Sequence, residues 1–325
     1  MKKFVLIFVL LFTVRVFALE YKDNSSSNFI FADWIVWKLS LTGGGENWAQ
    51  TISPEGKYRP VKIIGVPFNW SSGYRVGIGH NGSNPHYDAV IYYSHYQTTG
   101  DSDASGVVYS AFTGNYFENN PRDRNGIFGP TYTNASMEYH FSYNTFDFEL
   151  GRKFIIDPIL TLRPFVGLKT AFINQDMDTT WHNPTPANFK TATEDLKNDF
   201  WGIGPSVGIN STWPVYSTTQ RVLSVIGNFS GAYLWGHWKF KDVFNDDMPQ
   251  TISINFKDLD GASPMLKGLV GFEYSGLLSK VNFNARIGYE AEVWFNQLQF
   301  YSFNGGRLNN LLALQGGVLD FSVNF

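Results

Sequence analysis

Residues 281–295 read VNFNARIGYEAEVWF and alternate between apolar and polar side chains. Every odd-numbered residue is apolar, and the even-numbered ones are polar or Gly except for Trp294. Because successive side chains of a β-strand point to opposite faces, this pattern predicts one long strand with an apolar and a polar face. Strands of soluble β-sandwiches usually have about 5 to 6 residues, so a strand of this length favours a barrel.

Residues 201–213 alternate in the same way, with Trp201 and Trp213 at the two ends of the apolar face. Twelve residue steps of about 3.3 Å, tilted by about 40°, span roughly 30 Å along a barrel axis. This distance separates the two aromatic girdles of a membrane barrel. We therefore predict that Trp201 and Trp213 are membrane-interface aromatics. The alternative is a periplasmic sandwich, whose strands also alternate and whose core would hold these rings.

The composition agrees with alternation along the whole chain. Its 325 residues include 10 Trp, 17 Tyr and 29 Phe, yet the mean hydropathy is only -0.17. The absence of Cys excludes a disulfide scaffold and thiolate metal sites. The formal net charge of -3 gives no basic footprint, so nucleic acid is not an expected partner.

The first residues have the layout of a secretory signal peptide. Lys2 and Lys3 precede an apolar run, residues 4–14, and a small residue, Ala18, closes the segment. The run is too short for a membrane-spanning helix, which needs about 20 residues and would be required for an uncleaved anchor. We predict a cleavable signal peptide, residues 1–18, followed by an outer-membrane β-barrel, residues 19–325.

The remaining alternating segments predict an all-β chain, a transmembrane antiparallel up-and-down β-barrel of about 12 strands. Its periplasmic turns are short, and its extracellular loops, 42–56, 118–134, 175–198 and 242–263, are long and polar. The segment 135–150 changes phase, which predicts a β-bulge near Asn144-Thr145. The predicted strands are 29–41, 57–69, 73–80, 86–97, 106–117, 135–151, 159–174, 199–213, 220–241, 264–277, 280–299 and 310–325.

The chain ends on an apolar aromatic residue. Leu319, Phe321, Val323 and Phe325 alternate with polar residues in the last strand. A terminal strand ending in Phe resembles the signal by which outer-membrane barrels are recognised for assembly. We therefore predict that Phe325 is a C-terminal assembly signal and that the barrel assembly machinery is a partner.

Several strings resemble the Legionella major outer membrane protein family of pore-forming barrels, which also occurs in chlamydia-like bacteria. The resemblance covers roughly residues 30–325 and implies an outer-membrane pore without enzymatic activity. The founding member of that family carries cysteines used in disulfide cross-links, whereas this chain has none, so any homo-oligomer is expected to lack disulfides. The strings are GYRVGIG at 73–79, FDFELGR at 146–152, LRPFVGL at 162–168, FWGIGP at 200–205 and LALQG at 312–316.

Charged residues on the polar faces are the candidate pore-lining residues, since rings of charge in a lumen tune ion preference. The alternative is that they pair across strands and fill the interior without conducting. Opposed signs argue against strong selectivity. The candidates are Arg75, Asp88, Arg163, Lys169, Lys267, Glu273, Arg286, Glu290 and Glu292.

The expected function is a porin-like outer-membrane pore for passive diffusion of ions and small solutes, with outer-membrane lipid as its surroundings. One alternative is a barrel that serves as an adhesin or structural protein. Another is an outer-membrane phospholipase, because His140 and Ser142 share a strand face in a His-x-Ser arrangement with Asn144 next in the row. The six histidines have no metal-ligand spacing, so we predict no cofactor, no metal and no enzymatic activity.

Overall fold

The computed structural model describes residues 27–42, 46–52, 61–82, 87–112, 130–185, 189–218, 220–247, 251–278, 281–302 and 306–325. The predicted signal peptide, residues 1–18, lies outside the described residues. No helix in these ranges is long and apolar enough to cross a membrane. The strands are β1 (Ser27–Leu41), β2 (Asn47–Ile52), β3 (Val61–Gly65), β4 (Trp70–Asn81), β5 (Tyr87–Ser110), β6 (Tyr132–Arg152), β7 (Phe154–Asp157), β8 (Leu160–His182), β9 (Thr191–Ser217), β10 (Arg221–Asp246), β11 (Thr251–Leu278), β12 (Val281–Ser302) and β13 (Gly306–Asn324).

Ten strands close into an antiparallel barrel, in the order β1, β4, β5, β6, β8, β9, β10, β11, β12 and β13. The ring closes because β13 pairs with β1. Both described chain ends lie at one end of the barrel, which the sequence predicts to be periplasmic. At the other end, called extracellular below, the hairpin of β2 and β3 is attached to β5. Strand β7 pairs only with β8.

The predicted fold class is confirmed, with ten barrel strands where about 12 were predicted. The predicted strand 86–97 and the first residues of the predicted strand 106–117 belong to the single strand β5, and residues 113–117 lie outside the described residues. The polar run between them resembles a turn in the sequence, but Gly106 continues the strand through a bulge. Its φ of 105° lies in the left-handed region, which favours Gly. Of the predicted strand 57–69, the described residues 61–69 contain only β3, which lies outside the barrel wall.

The predicted bulge in β6 is wrong, because β6 pairs with β8 without a register shift from Asn134 to Gly151. All its odd-numbered residues from 135 to 151 face inward and are buried. Towards the extracellular end these inward residues are apolar, and towards the periplasmic end they become polar at Thr145, Asp147 and Glu149. The apparent phase change therefore marks a change of surroundings along one regular strand.

Strand β9 shows the same inversion on its outward face. The outward residues are polar as far as Asp199 and mostly apolar from Trp201 to Trp213. We call this outward stretch and its counterparts on the other strands the apolar band. Its extracellular edge, the border, runs through Phe146, Phe172, Trp201 and Trp235 on β6, β8, β9 and β10. The part of the barrel beyond the border is called the outer barrel.

The outer barrel has an interior like that of a soluble protein. Inward aromatic and aliphatic side chains form one buried cluster, within which the ring centroids of Phe200 and Trp238 are 4.8 Å apart. Tyr143 packs edge to face against both Trp37 and Trp294. Outward positions there are polar, so burial of the interior stabilises this part without contact with lipid.

Two of the predicted long loops are largely strand. Most of 175–198 belongs to the extracellular ends of β8 and β9, and most of 242–263 belongs to β10 and β11. Their outward residues are polar because this surface lies beyond the apolar band. The segment 42–56 contains β2, and most of 118–134 lies outside the described residues.

Candidate functional site

A cavity of about 290 Å³ enters the barrel from its periplasmic end. Uncharged polar side chains near the strand ends line part of its mouth, namely those of Asn81, Thr212, Asn284 and Asn324. Its walls carry cations and anions together, which makes it a water-accessible charged vestibule. The charged lining residues are Asp33, Arg75, Asp88, Glu149, Lys153, Arg163, Lys267, Glu273, Arg286, Glu290 and Asp320.

Arg75 lies at the inner end of the cavity and links strands that are not neighbours. Its Nη1 is 2.7 Å from Oδ2 of Asp33, and its Nη2 is 2.8 Å from Oε1 of Glu290. Its Nε donates to the Ser94 hydroxyl at 3.1 Å. Lys267 Nζ contacts the other oxygen of Glu290 at 2.9 Å. The rigid guanidinium fork suits such bridging, and the contacts tie β4 to β12 across the lumen.

A second group of charges surrounds Arg163 on the opposite wall. Its guanidinium contacts Asp88, and its Nη1 is 2.8 Å from Oε2 of Glu149. The hydroxyl of Tyr92 donates to the other oxygen of Glu149 at 3.0 Å. The three charged residues lie on β8, β5 and β6, which are adjacent, so these contacts join neighbouring strands along the wall.

Three further charged residues lie deeper, between the cavity and the outer barrel. Lys169 Nζ is 2.9 Å from Oδ1 of Asp147, and both side chains are buried. Glu292 accepts hydrogen bonds from the Tyr143 hydroxyl and from the Trp294 indole at 2.6 Å. Tyr143 and Trp294 thus turn their polar atoms toward the charged layer and their rings toward the apolar interior.

The lumen next to this layer is filled by side chains. Ile35, Trp37, Tyr143, Phe200 and Trp294 are each no more than 2% exposed, and they belong to the buried cluster of the outer barrel. In a packed interior of this kind side chains interdigitate with few voids larger than a water molecule. The structure therefore has a charged vestibule on the periplasmic side and a packed core on the extracellular side.

The structure brings most of the predicted pore-lining residues together. Lys169 and Glu292 are buried beyond the cavity. The other seven line it, namely Arg75, Asp88, Arg163, Lys267, Glu273, Arg286 and Glu290. Arg286 contacts Glu273 through its Nε, so it too has an anionic partner.

Sequence reasoning missed several members of this site. Asp147 and Glu149 follow the apolar residues of the same strand face, so the change of surroundings was taken for a change of phase. Asp33 was missed because its inward neighbours in β1 are apolar. Tyr92 was missed because many outward residues of the barrel are also Tyr or other aromatics. Alternation counted across the border without a phase reset would have placed Asp147 and Glu149 inward.

The two predicted interface tryptophans both point outward and are exposed, Trp201 at the border and Trp213 near the periplasmic end of β9. The terminal Phe325 also points outward with an exposed ring. Its backbone exchanges two hydrogen bonds with Asn28, of 2.8 and 2.9 Å, which close the barrel seam between β1 and β13.

His140 and Ser142 lie on the outward face of β6 in the outer barrel. His140 Nε2 is 3.5 Å from Glu138, whereas Ser142 accepts a hydrogen bond from Asn144 at 3.2 Å. Between the described side chains of His140 and Ser142 there is no hydrogen bond, so the geometry of a base beside its nucleophile is missing. Among the described residues, no group of three or more His, Asp or Glu side chains is arranged to hold a metal ion.

The solved structures similar to this chain include a major outer membrane protein and transporters. A major outer membrane protein from Thermus thermophilus is 9% identical with a TM-score of 0.36, over 93% of this chain and 100% of that one. A Pseudomonas aeruginosa FadL homologue is 7% identical with a TM-score of 0.26, over 92% of this chain and 90% of that one. The P. putida toluene transporter TodX is 8% identical with a TM-score of 0.25, over 93% and 90%. No curated protein sequence matches the chain.

The family comparison covers nearly the whole chain. The model of the family described as Legionella pneumophila major outer membrane protein precursor matches residues 31–325, which include every strand of the barrel except the first residues of β1. The predicted family is thereby confirmed. The chain belongs to the Legionella pneumophila major outer membrane protein family, and its ten-stranded barrel is that of an outer-membrane protein.

Proposed function

We propose that this protein is a closed outer-membrane barrel, whose working part is the outer barrel that it presents at the cell surface. This proposal rests on the observation that side chains fill the lumen. Inward side chains from Glu292 outward, including Tyr143, Trp294 and Phe200, are buried and packed against one another. Barrels of about 8 strands are filled by side chains, whereas 16 to 18 strands leave a channel, and ten strands lie near the filled limit.

Conductance of the refolded protein in planar bilayers tests this proposal. The closed barrel should give no sustained channel steps in symmetric salt. The double variant Tyr143→Ala, Trp294→Ala removes two rings that separate the charged vestibule from the outer barrel, so it should conduct where the native protein does not. Migration of the unheated barrel in SDS gels verifies that both proteins are folded. Sustained steps from the native protein would overturn the proposal.

The second candidate is the predicted porin-like pore for passive diffusion. The charged vestibule favours it, because water already reaches Arg75 from the periplasmic side. Conduction then requires the contacts of Arg75 with Asp33 and Glu290 to open and the rings beyond them to move. The cavity and the charged layer behind it hold eight carboxylates against six cations. The cations are Arg75, Lys153, Arg163, Lys169, Lys267 and Arg286, and the carboxylates are Asp33, Asp88, Asp147, Glu149, Glu273, Glu290, Glu292 and Asp320.

A salt gradient across the same bilayer separates the two candidates further. If the native protein conducts, the excess of carboxylates predicts a reversal potential of the sign that favours cations. In the double variant Glu290→Gln, Glu292→Gln this preference should fall. A pore without cation preference would mean that ions follow another route than the one lined by these carboxylates.

A further inference from the structure

The outward surface directly beyond the border carries an uneven distribution of lysines. Among the described side chains, four lysines point outward in the first rows beyond the apolar band. Lys38 stands alone on β1, between Trp70 and Gln315 in register. Lys197, Lys239 and Lys241 lie together on the adjacent strands β9 and β10. We call these three residues the lysine patch.

Two members of the lysine patch face each other directly. Lys197 and Lys241 are cross-strand partners in the register of β9 and β10, and Lys239 is the next outward residue on β10. Like charges opposite each other destabilise a sheet unless an anion lies between them. Lys197 is 3.8 Å from Asp176, but among the described residues no carboxylate lies within 4.0 Å of the ammonium of Lys239 or Lys241.

The lysine patch lies at a defined depth. Its outward neighbours on the band side are Asp199 and His237, followed by Trp201 and Trp235, which mark the border, with Ile203 and Tyr233 behind them. A lipid whose acyl chains cover these apolar residues places its head group at the level of the three lysines. Basic residues at this depth attract anionic head groups.

Acidic residues limit the lysine patch on its extracellular side. Asp101, Glu138, Asp178 and Asp195 are partners in one cross-strand row over β5, β6, β8 and β9. Asp199 is the register partner of Lys239 and stands in the same cross-strand row. Carboxylates repel phosphate, so the extracellular row and Asp199 together direct an anionic group toward the row of Lys197 and Lys241.

We propose that the lysine patch binds the phosphate groups of a phosphorylated outer-leaflet lipid, whose acyl chains lie against the apolar band on β9 and β10. Each ammonium donates up to three hydrogen bonds to phosphate oxygens, and the phosphate removes the repulsion between Lys197 and Lys241. The site does not depend on whether the lumen conducts, since it lies on the outer wall.

Native mass spectrometry of the refolded full chain with bis-phosphorylated lipid A tests the proposal. The triple variant Lys197→Ala, Lys239→Ala, Lys241→Ala should bind this lipid about 100-fold more weakly, from about 5-fold for each lysine near a charged surface. The triple Lys→Arg variant keeps the charge and should retain most of the binding. The matched control Lys38→Ala removes an isolated lysine just beyond the border and should change the binding by less than about 2-fold.

Two further probes distinguish the source of the phosphate. Lipid A without its phosphates should bind the native protein as weakly as bis-phosphorylated lipid A binds the triple Ala variant. Inorganic phosphate alone should not occupy the site, because it lacks the acyl chains that contact Trp201 and Trp235. Equal binding of both lipids, equal losses in the triple Ala and Lys38→Ala variants, or saturation by inorganic phosphate would each overturn the proposal.

Discussion

Arg75 is the single residue on which most of the lumen electrostatics depends. It is buried and contacts Asp33, Glu290 and Ser94, which lie on three different strands. Taking a cation and two carboxylates out of water is costly, and only their mutual contacts offset that cost. Removal of the cation therefore leaves the burial of two carboxylates without this compensation, since Asp33 and Glu290 are both buried.

We expect Arg75→Ala to lower the free energy of unfolding by about 3 to 5 kcal/mol, because it leaves Asp33 and Glu290 buried without a shared partner. Urea unfolding in phospholipid vesicles, followed by tryptophan fluorescence, measures the loss. The control Arg152→Ala removes a cation that stacks on Tyr87 and Phe154, with an expected loss of about 1 kcal/mol or less. Similar losses in both variants would contradict the role given to Arg75.

Asp195 in the outer barrel gives a pH-dependent prediction. Desolvation, followed by the charge of Asp178 opposite it, raises the pKa of Asp195. A carboxyl whose pKa is raised on folding costs stability above that pKa, and the cost disappears as pH falls below its unfolded value. Asp195→Asn should therefore raise the free energy of unfolding, measured by urea unfolding at neutral pH, by roughly a few tenths of a kcal/mol and leave it unchanged near pH 3. A gain that grows on acidification would contradict this sign.

The individual site residues were predictable wherever a charged residue alternates with apolar neighbours inside the apolar band. Arg163 and Glu290 are such cases. Asp33 and Asp147 were not predicted, because their inward neighbours on the extracellular side are apolar. Alternation reports which residues share a face, but the composition of each face depends on whether lipid, water or the interior surrounds it.

At the scale of the element, each long strand passes through two environments without changing its geometry. In the apolar band the outward residues are apolar and the inward ones polar, and in the outer barrel the order is reversed. This explains why the strands and most of their centres were predicted correctly while β5 was divided in two. It also explains why the ends of β8 to β11 were taken for loops, since polar outward residues resemble loop composition.

The inversion predicts that tolerance to charge changes along one strand. Val207 lies in the apolar band on the outward face of β9, and Thr193 lies on the same face in the outer barrel. Val207→Arg should lower the free energy of unfolding in vesicles by about 2 to 4 kcal/mol, and Thr193→Arg by about 1 kcal/mol or less. Equal costs would mean that the membrane does not end at Trp201.

At the scale of the whole molecule, the barrel closes through its two terminal strands. Phe325 contributes backbone hydrogen bonds to that seam, while its ring is exposed on the outward face. A side chain in this position adds little to packing inside the barrel. Its expected role is recognition before the barrel closes, which is the assembly signal predicted from the terminal Phe.

Phe325→Ala should therefore reduce the amount of folded protein in the outer membrane of growing cells by several-fold, while refolding into vesicles in vitro remains close to native. Quantitative blotting of membrane fractions and the yield of heat-modifiable protein measure the two effects. Phe321→Ala, which truncates another exposed outward aromatic of β13, is the matched control and should assemble normally. Equal amounts of folded protein from both variants in the outer membrane would contradict the assembly role predicted for Phe325.

The cross-strand rows of the outer barrel also form surface epitopes for antibodies raised against the folded protein. One surface spot combines Asp101, Glu138, Asp178 and Asp195 from four strands that are separated in sequence. An epitope of this kind exists only in the folded barrel. Synthetic peptides copied from single segments would not reproduce this epitope, whereas protein refolded in detergent would. Antibody binding to the outer barrel should therefore depend on whether the protein is folded.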